Sequence, residues 1–327
     1  MSNSIDVIDI SPFIDGTDPA SVAEAVGRAN EHLGFLVVTG HGIGADAIDP
    51  VLAAAHEFFA LPLAEKLACE PLQPWWFRGY QPMGISALGR LDGAEVPADL
   101  CELFRIGRFD TWDQARAAGY VEGREQSFAP NIWPSRPSAL RPAMERYYRE
   151  VERLAASLMS IFAVALDLDP RYFDAVLGDH ISDLFVNHYP RQVVAPVEGQ
   201  LRRGPHSDFG SLTVLYQDDA PGSLQVWNRR GEWEDVPHLP GTFVVNLGDL
   251  MARWTNDRWV STRHRVVNPP PHLADTDRIS MPFFHTPDYD AVVSCIPTCL
   301  APGEVPRYEP ITSGDWALRQ NLRNVGA

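Results

Sequence analysis

Apolar side chains recur at two different periods along this chain, and the change of period divides it. Between Pro19 and Gly34, the residues Val22, Ala25, Val26, Ala29 and Leu33 fall at three- and four-residue steps, which puts them on one stripe of a helix that Gly34 closes. A second helix is predicted near residues 46–60, stopping before Pro62. The longest stripe, Leu140, Met144, Tyr148, Val151, Leu154, Leu158, Ile161 and Ala165, predicts one amphipathic support helix within 137–167. Around the first helix, "IDVIDI" at residues 5–10 and "FLVVTGHG" from Phe35 read as short strands.

From Leu184 to about Phe284 the period shortens. The runs "LFVNHY", "LTVLYQ", "LQVWN", "WEDVP", "TFVVNLG", "WVSTRHRVV" and "ISMPFF" are β-branched or aromatic and are separated by Gly, Pro, Asn and Asp turns. Seven such strands predict a mainly β fold with flanking helices, its core an antiparallel sandwich or barrel. Residues 70–97 show no period and read as a long ordered loop, and "SGDWALRQNLRNV" reads as a closing helix capped by Ser313. No repeat or linker interrupts this series. The expectation is therefore a single domain over 1–327: a helical and loop region at 1–98, the β core with its support helix at 99–290, and a C-terminal segment at 291–327.

Bulk chemistry narrows the function. A net charge of −16 repels phosphate backbones and anionic membrane surfaces, so nucleic acid and membranes are expected not to be partners and a small molecule is. No apolar run reaches the ~18 residues that span a bilayer, and no leader-like segment opens the sequence. The four cysteines, Cys69, Cys101, Cys295 and Cys299, suit neither a disulfide framework nor a paired zinc site. A reducing, cytoplasmic setting and a monomer or weak homo-oligomer are the expectations. Lys66 is the chain's one lysine.

Three pairs of polar residues interrupt the β runs at a spacing of two. In "GPHSDFGSLTVLYQDD", His206 and Asp208 would share a strand face, and His264, opening "HRVV" several strands later, could reach the same interior. Two imidazoles and one carboxylate with open positions form the facial triad that suits Fe(II). In "DRISMPFF", Arg278 and Ser280 would face inward, where a guanidinium needs an anion to meet it. In "VNHYP", Asn187 and Tyr189 would offer an amide and a phenol to that cavity. Each pair alone has a plain structural reading, as a hydrogen-bonded pair, an internal ion pair or ordinary polar satisfaction.

Taken in order, "GFLVVTGHGI", "RGYQP", "DLCELFRIG", "HSDFGSLTVLYQDD", "VVNLGDL", "RWTNDRWVSTRHRVVNPP" and "DRISMPFF" resemble the isopenicillin N synthase-like family of Fe(II)- and 2-oxoglutarate-dependent oxygenases over nearly the whole chain. The resemblance implies a double-stranded β-helix, or jelly roll, backed by helices. It places the iron ligands at His206, Asp208 and His264. It places the far carboxylate of 2-oxoglutarate on Arg278 and Ser280, with Tyr189 and Asn187 lining the same pocket.

The implied reaction consumes 2-oxoglutarate and O2, releases succinate and CO2, and oxidises an unactivated C–H bond of a small metabolite by hydroxylation, desaturation or ring closure. Asp208 argues against halogenation, because related halogenases leave that position to a small residue. An oxidase that uses Fe(II) and O2 without 2-oxoglutarate stays open at this point, as do a zinc hydrolase and an inactive binding scaffold. Substrate contacts are expected from Tyr80, Phe104, Phe185, Leu215, Val226 and Phe283 at the barrel mouth. Arg191, Arg202 and Arg203 read as a solvated loop that could otherwise recruit an acidic group.

Overall fold

The computed structural model describes residues 5–89, 96–220 and 224–325. Its strands are β1 (Asp6–Asp9), β2 (Phe35–Thr39), β3 (Gly79–Gln81), β4 (Glu102–Ile106), β5 (Asp183–Tyr189), β6 (Arg203–His206), β7 (Leu212–Gln217), β8 (Leu224–Trp227), β9 (Trp233–Asp235), β10 (Phe243–Leu247), β11 (His264–Val266), β12 (Arg278–His285), β13 (Val292–Val293) and β14 (Ile311–Thr312). They form an eight-stranded sheet in the order β1-β2-β10-β7-β12-β5-β4-β3, a four-stranded sheet β6-β11-β8-β9, and the small pair β13-β14.

Strand alternation gives the large sheet two apolar faces. Phe35, Val37, Tyr189, Leu215 and Val244 point toward the small sheet and pack with its Leu224, Val226 and Val266. Their neighbours Leu36, Val38, Val214, Val245, Met281 and Phe283 point the other way, onto the helices Ala45–Phe59 and Leu140–Ala165. The second helix buries Leu140, Met144, Val151, Leu154, Leu158 and Ile161, the stripe its sequence period predicts. At about 1.5–3 kcal/mol for each large apolar side chain, that stripe holds the helix against the sheet. The result is two facing sheets backed by helices, a double-stranded β-helix.

Several sequence expectations shift. Residues 70–97 hold a 3-10 turn at Pro74–Trp76 and the strand β3, which pairs with β4; three residues are too few to show a period. Gly79 allows that pairing, since it has φ +73° and a Cβ there would lie 2.0 Å from the Cys69 carbonyl. Residues 90–95 of that stretch, and 221–223 of the turn expected at Asp218–Gly222, lie outside the described residues. The closing helix spans Ser313–Val325, and its first-turn hydrogen bond comes from Asp315 N to Thr312 Oγ1, so Thr312 and not Ser313 supplies the cap.

Candidate active site

The triad is assembled by pairing across the small sheet. His264 of β11 lies directly opposite His206 of β6, so two antiparallel strands set the imidazoles side by side with ring centroids 4.3 Å apart. Asp208 is not on the same strand as His206, contrary to the shared-face expectation. β6 ends at His206, and Asp208 sits in the turn that leads to β7. A turn can bring its carboxylate beside both rings where a straight strand would carry it past. The Asp208 Oδ1 is 3.8 Å from His206 Nε2 and 3.6 Å from His264 Nε2, and the three ligand atoms lie within 4.8 Å of one another.

Surrounding contacts leave those atoms available to a metal. His206 Nδ1 hydrogen-bonds the Gly204 carbonyl at 2.8 Å and His264 Nδ1 the Thr262 carbonyl at 3.1 Å, which places the ring proton on Nδ1 and the lone pair on Nε2 in both. Asp208 Oδ2 accepts from Thr213 Oγ1 at 2.6 Å and from Asn246 Nδ2 at 2.7 Å, so Oδ1 is the oxygen left over. Burial, then the neighbouring His264, pushes His206 down to about 3, so the ring is neutral at physiological pH. Burial alone would raise the Asp208 carboxyl, but His264, His206 and the two hydrogen bonds outweigh it and hold the group below the usual range. Two imidazoles and one carboxylate, all with free ligand atoms, fit Fe(II). Thr213 and Asn246 are absent from the sequence-based site, although both project inward from β7 and β10 by the same alternation that places Leu215 and Val244.

Register also brings the other two pairs together. β12 and β5 pair Arg278 with Tyr189 and Ser280 with Asn187, so all four share one face. Asn187 Nδ2 reaches Ser280 Oγ at 3.4 Å, and the Tyr189 hydroxyl lies 3.5 Å from that oxygen. Arg278 donates from Nη2 to Gln217 Oε1 at 2.7 Å, while its Nη1 and the Asn187 Oδ1 are buried without a hydrogen-bond partner. Arg278 is 2% exposed. A buried guanidinium with a free donor is costly until an anion meets it, so the residues present fit a carboxylate of 2-oxoglutarate. Arg202, stacked 5.8 Å from the Tyr189 ring, is pushed down to about 10 by burial and then by Arg278, a second sign that positive charge is concentrated here.

A cavity of about 540 Å³ opens beside the triad, a size that suits a small molecule. Its wall includes His206, Asp208, Arg203, Leu103, Phe185 and Phe284, and Ala317 and Asn321 of the closing helix border it. Phe185 is part of that wall. Phe283 is not: Arg278, Ser280 and Phe284 face inward on β12, which turns Phe283 onto Tyr148 of the support helix. Phe104 likewise faces the helices, against Phe58 and Trp133. Tyr80, at the cavity edge, directs its hydroxyl away to Glu102. Leu215 and Val226 pack in the apolar core between the sheets, outside the cavity wall.

Charged residues behind Phe185 are a further addition to the sequence-based site. Asp183 is clamped between Arg78 Nη1 at 2.9 Å and Arg105 Nη2 at 2.5 Å, and the Arg105 guanidinium lies 4.6 Å from the Phe185 ring centre. The alternation that points Phe185 inward also points Asp183 inward, so the sequence holds that signal. Arg191 is exposed beside Asp275, as a solvated loop residue would be. Arg202 and Arg203, in contrast, are buried.

Comparison with known proteins agrees with this geometry. Residues 5–136 match the family described as non-haem dioxygenase in morphine synthesis N-terminal, and residues 181–287 match the 2OG-Fe(II) oxygenase superfamily. The chain is 37% identical over 317 residues to the 2-oxoglutarate-Fe(II) type oxidoreductase hxnY of Emericella nidulans, covering 94% of this chain and 87% of that protein. It is 30% identical over 328 residues to the validamycin A dioxygenase of Streptomyces hygroscopicus subsp. limoneus, covering 99% and 87%. The crystal structure of a full-length Neurospora crassa protein in complex with alpha-KG and thymine superposes with a TM-score of 0.83 at 30% identity, covering 97% of this chain and 96% of that one. The chain therefore belongs to the 2-oxoglutarate- and Fe(II)-dependent oxygenase superfamily, as its resemblance to isopenicillin N synthase-like enzymes implied.

Proposed function

We propose that His206, Asp208 and His264 hold Fe(II), that Arg278 and Ser280 with Tyr189 and Asn187 hold 2-oxoglutarate, and that one C–H bond of a small molecule in the adjoining cavity is oxidised. One coincidence carries this reading. Free ligand atoms on the triad and an unpartnered Arg278 Nη1 border one apolar cluster between the sheets, with His264 against its Phe35 and Arg278 against its Tyr189. Fe(II), 2-oxoglutarate and O2 together supply the oxidising power, with succinate and CO2 as coproducts. The residues do the placing. Thr213 and Asn246 fix Asp208, Gln217 steadies Arg278, and the aromatic wall of Phe185 and Phe284 keeps water from the reacting carbon.

The Neurospora crassa protein binds thymine and another relative is named for validamycin A, so relatives of this chain take chemically different small molecules. On this reading the whole of 1–327 works as one oxygenase domain. Free cysteines fit a reducing, cytoplasmic setting, and no helix among the described residues is long and apolar enough to cross a membrane. The protein acts as a monomer or weak homo-oligomer.

The test is stoichiometric. Fe(II)-loaded protein given 2-oxoglutarate and a stimulating metabolite should form one succinate per O2 consumed, and Zn(II) should abolish turnover. O2 uptake without succinate would defeat the cosubstrate assignment, and turnover sustained by Zn(II) would defeat the iron assignment.

A further inference from the structure

Of the arginines in the cavity wall, Arg78 and Arg105 are paired with Asp183, whereas Arg203 has no ion-pair partner among the described residues and is not one of the residues assigned above to the metal or to the cosubstrate. It opens β6, three residues before His206, and is only 7% exposed although it lines the cavity. Its Nη1 is buried with no hydrogen-bond partner. A bulge between His264 and Val266 of β11 lets Arg203 and His206 both pair with that strand, and so turns Arg203 toward the cavity that His206 faces.

An obvious counter-charge fails to engage it. Asp99 is near enough to interact electrostatically, but its carboxylate is committed elsewhere: Oδ1 accepts from Gly204 N at 2.9 Å, and Oδ2 from Leu88 N at 3.2 Å and Ser86 Oγ at 3.3 Å. Among the described residues no carboxylate lies within salt-bridge distance of Arg203, whereas Arg105, Arg78 and Arg124 each have one. A desolvated guanidinium kept without a partner beside a ligand cavity costs stability unless a ligand supplies the anion.

We propose that Arg203 is the specificity-determining residue of this cavity and that the substrate is a small organic acid whose carboxylate it binds. This deepens the oxygenase reading and rests on it. A carboxylate fits better than a phosphate, because Asp99 and Asp208 stand close by and would repel a dianion. The rest of the acid lies against Leu103, Phe185 and Phe284, apolar surfaces that suit a ring or a short chain. The fork of Arg203 fixes the acid end of the substrate, and its distance from the triad decides which carbon is presented for oxidation.

The same chemistry could come from the cosubstrate, which also carries carboxylates, so the experiment has two arms. In the first, anaerobic protein loaded with Mn(II) and saturated with 2-oxoglutarate is titrated by calorimetry with benzoate, phenylacetate and cyclohexanecarboxylate and with the corresponding carboxamides. The wild type is expected to bind at least one acid about tenfold or more tighter than its amide, the ratio one charge-assisted hydrogen bond gives. Arg203→Met should erase that preference and Arg203→Lys should restore part of it. In the second arm, 2-oxoglutarate is titrated into the wild type, Arg203→Met and Arg278→Ala.

Retained 2-oxoglutarate affinity in Arg203→Met, with loss in Arg278→Ala, supports the assignment and shows that the first variant is folded. A loss in Arg203→Met equal to that in Arg278→Ala would overturn it in favour of a cosubstrate role. Equal binding of every acid and its amide by the wild type would overturn it without any variant. Failure of the oxygenase reading itself would appear differently, as wild-type protein that does not bind 2-oxoglutarate at all.

Discussion

Asn246 donates from Nδ2 to the Oδ2 of Asp208 across 2.7 Å, and so decides which carboxylate oxygen faces the two imidazoles. Asn246→Ala leaves a buried carboxylate oxygen with Thr213 alone and frees the group to rotate. We expect metal affinity to fall about 10–100-fold, the usual effect of removing a residue that orients a ligand. Titration with Co(II), followed by its d–d absorption, measures this, and unchanged affinity would mean that Asp208 is held by other means.

Arg278→Ala removes a guanidinium that is only 2% exposed. Truncating one partner of a buried charge pair costs about 2–5 kcal/mol, and the lower end already amounts to about thirtyfold in 2-oxoglutarate affinity. Arg278→Lys should recover part of the charge but not the fork. Equilibrium binding of 2-oxoglutarate to the three proteins decides it.

Adjacent phenylalanines on β12 should behave oppositely. Phe283 is fully buried against Tyr148, so Phe283→Ala should destabilise the fold by about 3–5 kcal/mol. Phe284 lines the cavity, so Phe284→Ala should change substrate affinity more than stability. Chemical denaturation beside substrate titration separates the two, and the reverse ranking would mean that β12 is shifted by one residue.

Acid sensitivity should trace to Glu102. Its carboxylate accepts from Lys66 Nζ at 2.7 Å, lies 2.9 Å from His188 Nδ1 and takes the Tyr80 hydroxyl. Burial alone would raise this group, but those three contacts together hold it below the usual carboxylate range. A carboxyl lowered on folding contributes stability above its unfolded value of about 4.3, and that contribution is lost as pH falls through the folded value. Glu102→Gln leaves Lys66 uncompensated, a loss of about 3–5 kcal/mol near neutrality, and should flatten the acid limb of a denaturation-against-pH curve. An unchanged limb would place the acid sensitivity elsewhere.

How much of this is legible in the sequence depends on range. Periodicity within a few residues yields the support helix Leu140–Ala165 and β7 at Leu212–Gln217 almost to the residue. The i, i+2 argument groups Arg278 with Ser280 and Asn187 with Tyr189, because both pairs lie on real strands. It fails as a reason for His206 and Asp208, which are joined by a turn. Carried two further steps along β12 from Ser280, it gives Phe284 in place of Phe283. Burial of Arg202 and Arg203 is not legible, since their polar neighbourhood along the chain says nothing of the sheet that closes over them. Neither is the anchoring of Asp208 by Asn246, 38 residues away in sequence.

Lys66 is 8% exposed and locked to Glu102, and it is the chain's one lysine. The folded surface consequently presents no lysine amine to a reagent. Acylating labels, aldehyde crosslinkers and amine-coupling supports will find no lysine target until the protein opens, so the rate of lysine modification becomes a direct clock of unfolding in this molecule.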